Sequence, residues 1–202
     1  MQFTVLSHDK SQIYLLFYKP SKTDPFQNQM VSYFNGPYCH VEMAIPEKYG
    51  DEPWEKDVWG TSIYQGESVF FKPKTYQREG YFCFAIEVTQ AQRIKIKEYC
   101  RLQAEKNVQF SLMAMYLSYL PFQVIDVEGT FCSKHVTGAL KSGQIEGLEH
   151  LNPVLVTPSS LYKTLLKNSM QSPIIQVIPS RMNQDSSQSS AQVLKEIIVR
   201  SC

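Results

Sequence analysis

The hexapeptide His40-Val41-Glu42-Met43-Ala44-Ile45 constrains the fold more than any other stretch of the chain. Its apolar residues recur at every second position, the spacing of side chains along one face of a strand. Val41, Met43 and Ile45 therefore point into a core, while His40, Glu42 and Ala44 share the other face. A turn, Gly36-Pro37-Tyr38-Cys39, delivers the chain into this strand. The face that carries an imidazole and a carboxylate is then free to be a site.

Other segments supply partners for such a strand. Residues 13–19 (IYLLFYK) read as a buried strand, and 81–88 (YFCFAIEV) as another, rich in aromatic and branched residues. Residues 57–64 and 67–72 read as a hairpin hinged at Gln65-Gly66, preceded by a Pro-, Gly- and charge-rich loop over 46–56. Asp24-Pro25 opens a short helix in which Phe26, Met30 and Tyr33 recur at helical spacing, and Asn35-Gly36-Pro37 ends it. Thr89 is placed to cap a helix whose apolar side takes Ile94, Ile96, Tyr99, Cys100 and Leu102 and which ends near Asn107. Residues 111–119 form a further helix stopped by Pro121. Thr157-Pro158 starts another, with Leu161, Leu165 and Leu166 toward the core, and 173–178 is a last strand.

Length and apolar content bound the organisation. A chain of 202 residues, 43% of them hydrophobic, suits one domain with a sizeable core. That domain spans 1–179. Residues 180–192, dense in Ser, Gln and Asn, read as a polar linker, and Val193, Leu194, Ile197 and Ile198 as a short amphipathic helix in need of a partner surface. There is no internal repeat.

A formal charge of +1, without a Lys/Arg stripe, argues against nucleic acid as a partner. The first residues lack the pattern of a signal peptide, and no apolar run is long enough to cross a bilayer. Five cysteines at irregular spacing argue for thiols in a reducing, cytoplasmic setting rather than a disulfide framework. With no Cys-x-x-Cys pair and no His-x-x-x-His step, neither a metal nor another cofactor is expected.

The segment Gly129-Thr130-Phe131-Cys132-Ser133-Lys134-His135-Val136 reads as a helix start that activates a thiol. With Thr130 as N-cap, Cys132 falls in the first turn, where unpaired backbone N–H groups and the helix dipole favour thiolate. Cys132, Val136, Ala139 and Leu140 share one stripe, so the thiol points inward. The bland reading is a small buried hydrophobe. Under the sharper one, His40 takes the thiol proton, the ion pair persists at neutral pH, and the imidazolium later protonates the leaving group.

His135, three residues after the cysteine, is a rival base. His8 and His150 read as solvated. A third group to hold the imidazole could be Glu42, which shares its sheet face, or Thr61 or Ser62 on the next strand; each could equally be an ordinary strand side chain. The backbone N–H of Cys132 and one further donor would meet an oxyanion. Tyr38 and Cys39 could line the approach or simply pack the turn. Met113, Met115, Tyr116 and Tyr119 could shape an apolar groove or belong to the core.

The order of these parts, His on an early strand and Cys on a later helix, reverses that of papain. With Tyr38-Cys39-His40-Val41-Glu42, Thr61-Ser62 followed by Gly66-Glu67-Ser68-Val69-Phe70-Phe71-Lys72, Phe131-Cys132-Ser133, and Thr157-Pro158-Ser159-Ser160-Leu161-Tyr162, the chain resembles the circularly permuted papain-like cysteine hydrolases, the permuted branch of the NlpC superfamily. The resemblance covers most of residues 13–170 and is strongest to versions from large DNA viruses and phages, which implies an infected cell or a virion.

The resemblance implies an α+β fold with an antiparallel sheet packed against helices, Cys132 as nucleophile and His40 as base. It favours Thr61 or Ser62 over Glu42 as the third group. Relatives of the lecithin-retinol acyltransferase type carry a second His about a dozen residues after the first. Here that region holds Asp51, Glu52 and Trp54, which argues against retinoid or phospholipid acyl transfer. The expected activity is cleavage of an amide, peptide, thioester or ester through an acyl-Cys132 intermediate. The alternative is a non-catalytic papain-like module whose terminal helix docks a host or viral partner.

Overall fold

The computed structural model describes residues 10–24, 26–120 and 126–178. The chain runs β1 (Lys10–Tyr18), α1 (Phe26–Asn35), β2 (His40–Ile45), β3 (Val58–Ser62), β4 (Phe70–Lys74), β5 (Tyr81–Thr89), α2 (Gln90–Glu105), α3 (Leu112–Leu117), α4 (Cys132–Ser142), α5 (Pro158–Ser169) and β6 (Ile175–Ile178). The strands form one antiparallel sheet in the order β4-β3-β2-β1-β5-β6. With the helices this is an α+β architecture.

β1 sits inside the sheet because its sequence can be buried on both faces, Ile13 through Phe17 being at most 2% exposed. Ile13, Leu15 and Phe17 join Val41, Met43 and Ile45 of β2 and Phe84, Ile86 and Val88 of β5 on the face that receives the helices. α2 brings Ile96 and Cys100 to it, α4 brings Val136, Ala139 and Leu140, and α5 brings Leu161, Leu165 and Leu166.

The opposite face is also covered. Tyr14, Leu16, Ala44, Cys83 and Ala85 form a second cluster with Val58 and Tyr76, against which Trp54 packs. The expected open face beside His40 is therefore a closed one, and Glu42 in its middle is fully buried. At the His40 end 15% of that side chain stays exposed.

Thr89 and Thr157 each close a capping box, with Gln92 and Ser160, and Pro158 occupies the first turn of α5. α2 is rotated from its expected face. Arg93, Ile96 and Cys100 point inward, while Ile94 is 57% exposed and Leu102 37%. The reason is Arg93, whose guanidinium donates to Pro46 O at 3.1 and 2.7 Å and pairs with Glu47, so a cation can share the buried stripe.

The hairpin is shifted too. β4 starts at Phe70 because the preceding residues pair elsewhere: Val69 N–H donates to Val108 O and Phe110 N–H to Glu67 O, both at 2.9 Å. That pairing continues into the approach to α4, where Ser111 N–H donates to Thr130 O and Thr130 N–H to Gln109 O. Gly129, at φ +89°, makes this close approach possible, since a Cβ there would stand 2.8 Å from Ser111 Cβ. The expected readings of His8, Pro121, the linker over 180–192 and the apolar pattern from Val193 to Ile198 lie outside the described residues.

Candidate active site

The turn into β2 is clamped from α5. Ser159 Oγ accepts from Tyr38 N–H at 3.2 Å and donates to Tyr38 O at 3.3 Å. Tyr38 itself is not on an approach to the thiol, because its ring is built into the aromatic core with Phe17, Phe82 and Tyr162. Cys39 N–H and its thiol both face Tyr18 O, and this backbone anchor fixes where His40 begins its strand.

His40 lies flat on Tyr64, the ring centroids 4.8 Å apart. Its Nε2 is 3.4 Å from Ser62 Oγ and 3.7 Å from Glu42 Oε1. The Ser62 hydroxyl proton is already given to Val41 O at 2.7 Å, so Ser62 accepts from Nε2–H. The network thus assigns the imidazole proton to Nε2 and leaves the lone pair on Nδ1.

Glu42, two residues along the same strand, comes within 3.7 Å of the ring on the closed face. Its carboxylate accepts from Tyr64 OH at 2.7 Å, Tyr81 OH at 3.0 Å and Lys74 Nζ at 2.6 Å. Burial pushes this carboxyl up, but His40, Lys74 and the hydrogen bonds outweigh it and hold it below its ordinary pKa.

Thr61 does not join this group. Paired with Met43, it lies on the helix-facing side of the sheet, one residue out of phase with Ser62. There its hydroxyl donates to Phe70 O and contacts His135 Nε2 at 2.8 Å. His135 is 1% exposed, packs on Tyr99, and has no partner for Nδ1. Burial alone pushes it down to about 4. The rival base is therefore committed to Thr61.

Cys132 opens α4, as expected, but the N-cap is Phe131 rather than Thr130 and makes no side-chain cap hydrogen bond. The N-cap side chain therefore leaves the first-turn amides free for the Cys132 sulfur. The sulfur is 8% exposed in residue terms and takes backbone hydrogen bonds from Val41, Ser133 and Cys132. Burial pushes the thiol up to about 11, these amides pull it down, and Glu42 adds to the rise. Among the hydrogen bonds of the described residues none joins the sulfur to the His40 ring; the sulfur instead faces the backbone N–H of Val41, the residue that follows His40.

Burial likewise brings His40 down to about 4, opposed by Glu42 and reinforced by Lys74. Burial thus favours the neutral thiol and the neutral imidazole over the expected standing ion pair.

Beside the sulfur lies a small cavity lined by Val31, Cys39, Met115, Ser118, Tyr119, Phe131 and Pro158, none of them charged. Cys39 is one of the residues lining this cavity rather than only packing the turn. Of the four α3-region residues, Met115 and Tyr119 face the cavity, whereas Met113 and Tyr116 are about 60% exposed, so they are not core. His150 is exposed.

Sequence reasoning missed Lys74, Tyr64, Tyr81 and Ser159. Tyr64 was within reach, since it follows Ser62 by two and shares its face. Among the described residues no three His, Cys, Asp or Glu side chains stand together as a metal would need, and no helix is long and apolar enough to cross a membrane. No known protein family, no curated protein and no solved structure matches the chain.

Proposed function

We propose that the chain is a thiol hydrolase with a permuted papain-like arrangement, cleaving an amide, peptide, thioester or ester through an acyl-Cys132 intermediate. One observation carries this reading: Cys132 meets the N–H of Val41, next to an imidazole whose Nε2 is anchored by Ser62 and Glu42. His40 Nδ1 then takes the thiol proton as sulfur attacks the carbonyl carbon. Glu42 and Ser62 stabilise the imidazolium, which returns the proton to the leaving amine, thiol or alcohol. Water, deprotonated by the same nitrogen, releases the acyl group. Backbone N–H groups opening α4 are the donors for the oxyanion. Ser62 and Glu42 act as the orienting pair; Thr61 and His135 support α4 from the helix side.

The test is acylation by p-nitrophenyl acetate, read as a burst of p-nitrophenolate and a mass adduct on Cys132. His40→Ala is expected to slow acylation by about 10²-fold or more, the ordinary worth of a general base. Acylation at the rate of an ordinary thiol, unchanged in His40→Ala, overturns the reading. A binding module without catalysis is the second reading, favoured by the exposed Phe26, Met113 and Tyr116 on the two helices that border the cavity. It would stand if that result were obtained.

A further inference from the structure

Glu42 is held by more groups than a histidine orienter needs. Facing its carboxylate are His40 from β2, Tyr64 just after β3, Lys74 from β4, Tyr76 beyond it and Tyr81 from β5, while the thiol of Cys132 on α4 feels its charge at a distance. Lys74 is the one lysine or arginine among them. Its ammonium lies 2.6 Å from Glu42 Oε2 and 3.1 Å from Tyr64 OH, and rides 4.5 Å above the Tyr76 ring. Tyr64 in turn is the plate on which the His40 ring rests.

A fully buried carboxylate has one negative charge to share between two cationic partners. What Lys74 takes, His40 does not receive. We propose that Lys74 is a positioning residue for His40: by sharing Glu42 it keeps that carboxylate ionised, limits the charge offered to the imidazole, and so keeps His40 a neutral base until a thiol proton arrives. Its hydrogen bond to Tyr64 holds the ring's stacking surface at the same time. The inference rests on the hydrolase reading for its purpose, though the coupling it describes can be measured without any substrate. The direction of the imidazole's pKa agrees, with burial lowering it most, Glu42 opposing and Lys74 adding to the fall.

The experiment is a histidine-selective NMR titration of the full chain, with Cys132 acylation rates measured in parallel. Lys74→Met keeps the aliphatic stem over Tyr76 and removes the charge. The His40 midpoint is expected to rise by about one pH unit or more, a tenfold gain in proton affinity. Lys74→Arg restores the charge and is expected to return the midpoint to that of the unaltered chain, while Glu42→Gln moves it down. A midpoint that stays or falls in Lys74→Met, in protein with the unaltered NMR fingerprint, overturns the assignment. If Lys74→Met does not fold, Lys74→Gln carries the same expectation. A midpoint that rises while acylation shows no dependence on His40 upholds the role of Lys74 and overturns the Cys132–His40 couple instead.

Discussion

His135 is a histidine whose titration the fold resists. Its Nε2–H already bonds Thr61, and a second N–H, at the partnerless Nδ1, would be buried with no acceptor and no carboxylate in contact. Its pKa accordingly falls to about 4 from an unfolded value of 6.5. Between those values the unfolded chain binds more protons than the folded one, so stability is complete above pH 6.5 and is lost as pH falls toward 4. Integrating the linkage gives a loss of about 2 kcal/mol at about pH 5 and about 3 kcal/mol below pH 4.

Replacing His135 by Gln keeps an N–H donor for Thr61 and removes the titration. Urea unfolding at about pH 7.5 and about pH 5 is the assay, because the difference between the two pH values cancels whatever the substitution does to packing. The unaltered chain should lose about 2 kcal/mol more than His135→Gln over this interval. Equal losses would refute the argument that Nδ1 is sealed from water, and with it the assignment of His135 to a supporting role.

Two further outcomes follow from the same geometry. Gly129→Ala forces a Cβ to within 2.8 Å of Ser111 Cβ and 3.0 Å of Gln109 O at a φ of +89°, and should cost about 1–3 kcal/mol, read as a lowered urea midpoint. Ser62→Ala removes the nearest acceptor of Nε2–H and should slow Cys132 acylation by up to about tenfold, the worth of one hydrogen bond; an unchanged rate would mean that Glu42 alone orients the ring.

The parts of the fold that were legible are those governed by short-range rules. The period-two pattern from His40 to Ile45, the capping residues Thr89 and Thr157, and Pro158 at a first turn depend on neighbours in sequence, and each sits where its local chemistry directs. The illegible parts depend on partners far along the chain. Nothing near Arg93 announces that Pro46 O will receive its guanidinium and turn Ile94 outward. Nothing near Glu67 tells that residues 108–110 will outcompete the hairpin for its backbone.

The site divides the same way. That Cys132 opens a helix and His40 a strand is legible from local features, but which of Thr61 and Ser62 faces His40 turns on register. One residue of slip between β2 and β3 would exchange them. Glu42 is not legible as a neighbour of the ring because distance along a strand says little about where two side chains converge when other elements, here Lys74 with Tyr64 and Tyr81, draw one of them in.

The order of events at Cys132 follows from magnitudes. Moving a proton from a thiol near 11 to an imidazole near 4 costs roughly 10 kcal/mol if the two act as separate groups. Even if the two charges were brought to about 4 Å, attraction in an effective dielectric of about 20 would return only about 4 kcal/mol. Burial thus disfavours the standing thiolate–imidazolium pair read from the helix start, raising the thiol and lowering the imidazole together. In the proposed hydrolase the proton would therefore leave sulfur only as the carbon–sulfur bond is made, when the developing negative charge would pass to the carbonyl oxygen and the backbone amides opening α4. His40 is suited to that timing and His135 is not. Behind His40 stand an acceptor and a carboxylate that welcome a second proton for the life of the transition state, whereas behind His135 there is only packed core.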